Sequence, residues 1–205
     1  LKFFKTHNIL GSINNNKFTN RENSVGCIYI VRDPRNVLTS IQNHYELNKE
    51  EALKFMLSEK KFIYDYHAKN DYSDFQFISS WENNYKAWKS QSEFPLKIIR
   101  YEDLMEKTYE VFTEIVDFIN KITKNQEKIN KIKIKNAIRS TSFNKLRDHE
   151  KKYGFSESIK SRNENKQIPF FFLGPENDWK RILDDDLKLK MNNIFEKNLR
   201  ELSYI

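Results

Sequence analysis

Three short apolar runs are each followed at once by residues able to handle an anion or a proton. His7 follows Leu1–Thr6 (LKFFKT), Arg32-Asp33-Pro34 follows Cys27–Val31 (CIYIV), and Tyr101-Glu102-Asp103 follows Leu96–Arg100 (LKIIR). In open α/β sheets, ligands bind beyond the carboxyl ends of the strands. If the three runs are parallel strands, an imidazole, a guanidinium and a phenol converge on one edge. Arginine forks a phosphate, a helix start adds backbone N–H donors, and imidazole serves as a base near neutral pH. The set therefore suits a phosphorylated, aromatic ligand. Plainer readings stand beside this one. His7 can be an ordinary surface or core histidine, and Arg32 can pair with Asp33 or Glu102. Glu102 and Asp103 read as structural, capping the next helix or tying down arginines.

The elements that must position these residues are strands separated by helices. Cys27–Val31 is a continuous apolar run, as an interior parallel strand requires. Asp33-Pro34 reads as a helix start, with Asp at the N-cap and Pro at the first helical position, and that helix should run to about Tyr45. Apolar residues at helical spacing predict a helix over Glu50–Ala68. Ser79 with Glu82 forms a capping-box pattern, after which Trp81, Tyr85 and Trp88 share a face that should be core. Further helices are expected over Glu106–Ile122, Asn125–Arg139 and Asp184–Leu202, the last with acidic residues at its start and basic ones at its end. The polar stretch from Asp148 to Pro169 has little periodicity and reads as a mobile loop. Alternation of strands and helices implies an α/β fold, a parallel sheet flanked by helices.

Composition narrows the classes. The chain has 205 residues, 38% hydrophobic and 32% charged, enough for one domain with a real core. No apolar run is long enough to span a membrane, and the N-terminus has no signal-peptide pattern. One cysteine, Cys27, excludes an internal disulfide and, with the missing signal pattern, points to the cytoplasm. The four histidines fall at no zinc-like spacing, so no metal is expected. The net charge of +7 favours an anionic partner, although much of it reads as solvated helix surface. Four glycines, at 11, 26, 154 and 174, leave no GxGxxG or GxxxxGK[ST] cradle for phosphate.

Taken in order, the motifs resemble the sulfotransferases that use 3′-phosphoadenosine 5′-phosphosulfate (PAPS). Lys5-Thr6-His7 resembles their Lys-Thr-His segment. Arg32 through Ser40 (RDPRNVLTS) resembles their 3′-phosphate segment, and Arg100 through Leu104 (RYEDL) their Tyr-Glu-Asp segment. Thr141-Ser142-Phe143 is similar to their adenine-contacting Thr-Ser-Phe, and Phe170 to Lys180 (FFFLGPENDWK) to their late phosphate loop. The resemblance implies a P-loop NTPase-like sulfotransferase fold and sulfuryl transfer from PAPS to a hydroxyl or amine, without a metal. It implies that Arg32 and Ser40 hold the 3′-phosphate and that Tyr101 contacts the adenosine. Thr141, Ser142 and Phe143 border the adenine, and Gly174 turns its backbone to the phosphate side. It makes His7 the acceptor base and gives Lys5 the sulfuryl oxygens.

There are departures from the pattern. Phe172-Leu173 stands where the family usually has Arg-Lys, with Arg162 or Lys166 as candidate substitutes, and Asn177 replaces the second glycine. The family's first strand and phosphosulfate loop would precede Leu1, so the chain is expected to be a single domain lacking them. The acceptor, whether small molecule, lipid or carbohydrate, is not legible, nor is the oligomeric state. A nucleotide kinase-like enzyme using ATP and Mg²⁺ and a basic nucleic-acid-binding module are the rival readings. The second is disfavoured because the aromatics fall at helical core spacing, so no nucleic acid partner is expected.

Overall fold

The computed structural model describes residues 1–64, 75–161 and 164–205. In chain order the elements are β1 (Ser12–Ile13), β2 (Asn16–Lys17), β3 (Cys27–Val31), α1 (Pro34–Tyr45), α2 (Lys49–Leu57), β4 (Phe62–Ile63), β5 (Gln76–Phe77), α3 (Trp81–Ser90) and β6 (Leu96–Arg100). They continue with α4 (Tyr101–Glu106), α5 (Thr108–Thr123), α6 (Lys131–Ser140), α7 (Phe143–Tyr153), β7 (Ile159–Lys160), β8 (Gln167–Ile168), a 3₁₀ turn (Gly174–Glu176), α8 (Trp179–Ile182) and α9 (Asp185–Glu201). β3 and β6, both expected from their apolar runs, form a two-stranded sheet. The Cys27 N–H at the start of β3 bonds the Pro95 carbonyl just ahead of β6, so the strands run parallel. Among the described residues three antiparallel strand pairs accompany them: β1–β2, β4–β5 and β7–β8.

The chain divides into two units, Leu1–Tyr29 with Leu53–Ile98, and Ile30–Ala52 with Ile99–Ile205. The first unit is built on the aromatic face of α3. Tyr85 and Trp88 are buried there with Leu53, Met56 and Phe94, and Phe18 and Tyr29 lie against the Trp88 ring. Buried aromatics of this size dominate a small core, and their polar tips find partners. The Trp88 indole N–H donates to the Asn8 carbonyl at 2.9 Å, and the Tyr29 hydroxyl to Asn84 Oδ1 at 3.0 Å. In the second unit α1 packs against α8 and α9. On α9, Leu187, Met191, Phe195 and Leu199 are buried at helical spacing, as are Leu38 of α1 and Val31 and Ile99 of the paired strands.

Several expectations fail for stated reasons. Leu1–Thr6 is not a strand: no ladder partner lies beside it among the described residues, and Phe3 and Phe4 are exposed. An apolar run becomes a strand only when a neighbour takes its backbone groups. The helix expected over Glu50–Ala68 ends at Leu57, and Phe62–Ile63 pairs instead with Gln76–Phe77; residues 65–68 lie outside those described. The cap of α3 is Ser80 rather than Ser79. Ser80 accepts from the Asn83 N–H at 3.2 Å, while Ser79, at φ +58°, donates to the Glu59 carbonyl. Asp148–Pro169 is not one loop. It contains the end of α7 and the β7–β8 pair, anchored by buried Ile168.

Candidate functional site

The second unit gathers the strand-end residues. Asp33 caps α1, accepting from the Arg35 N–H at 2.9 Å, and Pro34 opens the helix. The Asp33 carboxylate is also forked by the Arg35 guanidinium (Nε to Oδ1 2.9 Å, Nη2 to Oδ2 2.7 Å), both side chains being about as buried as any in the protein. Arg35 is further held by Asn192 Oδ1 at 2.8 Å and lies 3.9 Å over the Trp179 ring. The Asp33 N–H donates to Glu102 Oε1 at 3.1 Å, and the Tyr204 hydroxyl to Glu102 Oε2 at 2.6 Å. Burial and that carboxylate push the Tyr204 phenol far up. Arg100 and Asp103 form their own fork at 2.6 and 2.7 Å, and Asp103 is held below the usual carboxylate range by that guanidinium. Glu102 and Asp103 are thus structural ties.

Arg32 is left over from this network. Its guanidinium lies 4.4 Å over the Tyr101 ring, and Nη1 donates to Ser40 Oγ at 3.3 Å. Its Nε is buried with no hydrogen-bond partner. A buried guanidinium N–H without an acceptor is costly, so an anion placed here gains a charge-assisted bond already desolvated. Arg32, Ser40 and Tyr101 are brought together, as the sequence predicts. Ser40 also receives the Asn177 amide at 3.0 Å, and Asn177 is buried.

Further along the same unit, Gly174 sits at φ +53°, and a Cβ there would lie 2.2 Å from the Phe143 ring. Phe143 opens α7, with its ring edge-on to Phe171 at 6.1 Å and under the Arg147 guanidinium at 5.5 Å. Thr141 closes α6, its hydroxyl donating to the Ala137 carbonyl at 2.9 Å, and exposed Ser142 is the N-cap of α7 without a side-chain cap bond.

The first unit holds His7 and Lys5, both exposed. The His7 backbone is fixed at both ends: its N–H donates to Gln76 Oε1 at 2.5 Å, and its carbonyl accepts from Asn84 Nδ2 at 3.0 Å. Next to it, Asn8 Oδ1 accepts from the Phe77 N–H at 2.7 Å. β5 and α3 therefore position the residue without enclosing its ring.

A family model for the sulfotransferase domain matches residues 1–203. The chain belongs to the sulfotransferase family. It is 22% identical over 208 residues to luciferin sulfotransferase of Photinus pyralis, covering 100% of this chain and 52% of that protein, so the chain spans about half the length of this curated relative. Among solved structures it is similar in fold to mouse sulfotransferase SULT7A1 complexed with PAP (TM-score 0.56, 17% identity, 84% of this chain and 57% of that one). It is also similar in fold to a retinol dehydratase in complex with androsterone and inactive cofactor PAP (TM-score 0.53, 15% identity, 84% and 46%). The sulfotransferase fold is thereby shown, with its parallel β3–β6 pair between helices.

The departures from the family pattern take physical form. Phe172 is half exposed and brings no cation. Of the two candidate substitutes, Lys166 is ion-paired to Glu164 at 2.5 Å, and Arg162 lies outside the described residues. Asn177 and Asn36 were not read as site residues. The signal for Asn36 is its spacing, one helical turn before Ser40, and that for Asn177 its place in the segment that resembles the late phosphate loop. No helix among the described residues is long and apolar enough to cross a membrane.

Proposed function

We propose that this protein transfers a sulfuryl group from PAPS to the hydroxyl or amine of a small-molecule acceptor. The observation that carries the reading is Arg32, with its buried, unpartnered Nε over the Tyr101 ring and beside the Ser40 hydroxyl. A planar guanidinium and a hydroxyl together suit a phosphate dianion. PAP in the complexes of the structural neighbours supports a 3′-phosphorylated adenosine as the ligand. Tyr101 would bound the adenosine. Thr141, Ser142 and Phe143 would border the adenine, and Gly174 would bring its backbone to the phosphate side.

When bound, PAPS supplies an activated sulfuryl group on a good leaving group. The acceptor oxygen or nitrogen forms a bond to sulfur as the sulfur–oxygen bond to the 5′-phosphate breaks, leaving adenosine 3′,5′-bisphosphate. His7 takes the acceptor proton, which calls for a pKa near the working pH. Lys5 offsets charge on the sulfuryl oxygens, and Arg32 holds the bisphosphate end fixed so that no reorganisation is needed during transfer. Androsterone and retinol, named with the neighbouring dehydratases, support a small apolar alcohol as acceptor. Burial raises the lone thiol of Cys27 to about 11, which keeps it protonated near neutral pH.

Calorimetry with adenosine 3′,5′-bisphosphate tests the reading. Wild type should bind, and Arg32→Ala should lose about 1.5–3 kcal/mol, the contribution of a charge-assisted contact. Equal affinities would refute the clamp. In a turnover assay, His7→Ala should abolish transfer and leave bisphosphate binding unchanged; surviving turnover would remove His7 as the base.

A further inference from the structure

The buried Asn177 amide is fully engaged with α1. Its Nδ2 donates to the Asn36 carbonyl at 3.0 Å and to Ser40 Oγ at 3.0 Å, while the Thr39 hydroxyl shares its one proton between Asn177 Oδ1 at 2.5 Å and the Asn36 carbonyl at 2.8 Å. A carbonyl only accepts, so the Asn36 oxygen fixes which end of the amide faces it. Ser40 Oγ in turn accepts from Arg32 Nη1 and from Asn177, and its single proton goes back to the Asn36 carbonyl at 3.1 Å. At rest, then, the hydroxyl points its proton into its own helix and away from the anion site beside Arg32.

For Ser40 to donate to an anion, that proton must leave the Asn36 carbonyl. Asn177 makes the turn easy in two ways. Its Nδ2 remains on the Asn36 oxygen, so the carbonyl keeps a donor when Ser40 departs. Its second hydrogen remains on Ser40 Oγ, which polarises the O–H bond and strengthens it as a donor. We propose that Asn177 is the positioning residue that releases the Ser40 hydroxyl to the 3′-phosphate, and so helps to set preference for a 3′-phosphorylated nucleotide. This rests on the donor-binding reading above. It also accounts for a polar residue where the family pattern has glycine, in a loop that has Phe172-Leu173 in place of cations.

The experiment is calorimetry on the whole chain with two ligands, adenosine 3′,5′-bisphosphate and adenosine 5′-monophosphate, read as their affinity ratio. A purely structural loss at the loop lowers both affinities and leaves the ratio alone. Asn177→Ala should cut the ratio about tenfold, as loss of a bond to a charged group implies, with monophosphate affinity within about twofold of wild type. Ser40→Ala should do the same, and the double variant should lose no more than either single one, because the two act through one hydroxyl. Thr39→Val, which removes the donor on Asn177 Oδ1, should lower the ratio in the same direction and carries the test if Asn177→Ala does not fold. An unchanged ratio in Asn177→Ala (or, should that variant not fold, in Thr39→Val), or losses that multiply in the double variant, would overturn the assignment while leaving the clamp standing. A wild type with no preference for the bisphosphate would overturn both.

Discussion

Arg32 and Arg35 stand three residues apart at one strand–helix junction and have opposite fates. Arg35 is consumed: the Asp33 carboxylate, Asn192 and the Trp179 ring occupy it. Arg32 meets an aromatic face and a hydroxyl, with an N–H left over. Because Asp33 is committed to Arg35, Arg32 is not quenched by its neighbour, and its charge stays available. Breaking a buried pair strands the surviving charge. Asp33→Asn should therefore lower stability by about 3 kcal/mol in urea denaturation, and an unchanged midpoint would show that Asn192 and Trp179 suffice. Gly174 offers a second test at this scale. A methyl there meets the Phe143 ring at an impossible distance and at a backbone angle unfavourable to L-residues. Gly174→Ala should cost about 1–3 kcal/mol through overpacking and strain, read as a fall in melting temperature.

At the scale of elements, α7 and the segment after β8 are tied by one side chain. The Glu150 carboxylate accepts from the Phe170 N–H at 2.7 Å, the Phe171 N–H at 2.9 Å and the Ser158 hydroxyl. Burial works to raise its pKa, but the Ser158 hydroxyl and the two backbone amides hold it below the ordinary 4.5. A carboxylate depressed in the fold contributes fully above its ordinary value, and that contribution disappears as pH falls through the lowered one. Glu150→Gln should melt lower than wild type near neutrality, and the gap should close in acid. A gap independent of pH would deny the carboxylate this role. Phe171 and Gly174 follow this tied segment, and both lie against the Phe143 ring proposed to border the adenine. No periodicity in the polar run that starts at Asp148 encodes this tie, because it joins a carboxylate to amides some twenty residues on.

At the scale of the whole molecule, the net charge of +7 is the excess of 36 lysines and arginines over 29 acidic residues. Many lysines are spent in surface pairs such as Lys86–Glu82, Lys121–Asp117 and Lys190–Glu50, and exposed pairs of this kind contribute little. A nucleotide that binds the native state alone should raise the melting temperature. At a hundredfold excess over its dissociation constant the gain is about 2.7 kcal/mol. In a thermal-shift comparison, adenosine 3′,5′-bisphosphate should stabilise the protein and ATP with Mg²⁺ should not. The reverse order would favour a kinase-like enzyme.

What the sequence determined by itself was local. The apolar runs of β3 and β6, the Asp33-Pro34 start of α1 and the acidic start of α9 all depend on neighbours in the chain, and each stands where its pattern puts it. The family motifs likewise pointed to Arg32, Ser40 and Tyr101 as one group. Tertiary structure decided everything that depends on a distant partner. Leu1–Thr6 has strand composition but no ladder beside it among the described residues, Glu50–Ala68 has helical spacing but gives up Phe62–Ile63 to an antiparallel pair, and Asn177 has no local reason to be buried until it meets Asn36, Thr39 and Ser40. Periodicity records which face a residue shows, whereas hydrogen-bond satisfaction is settled only once remote segments are packed together.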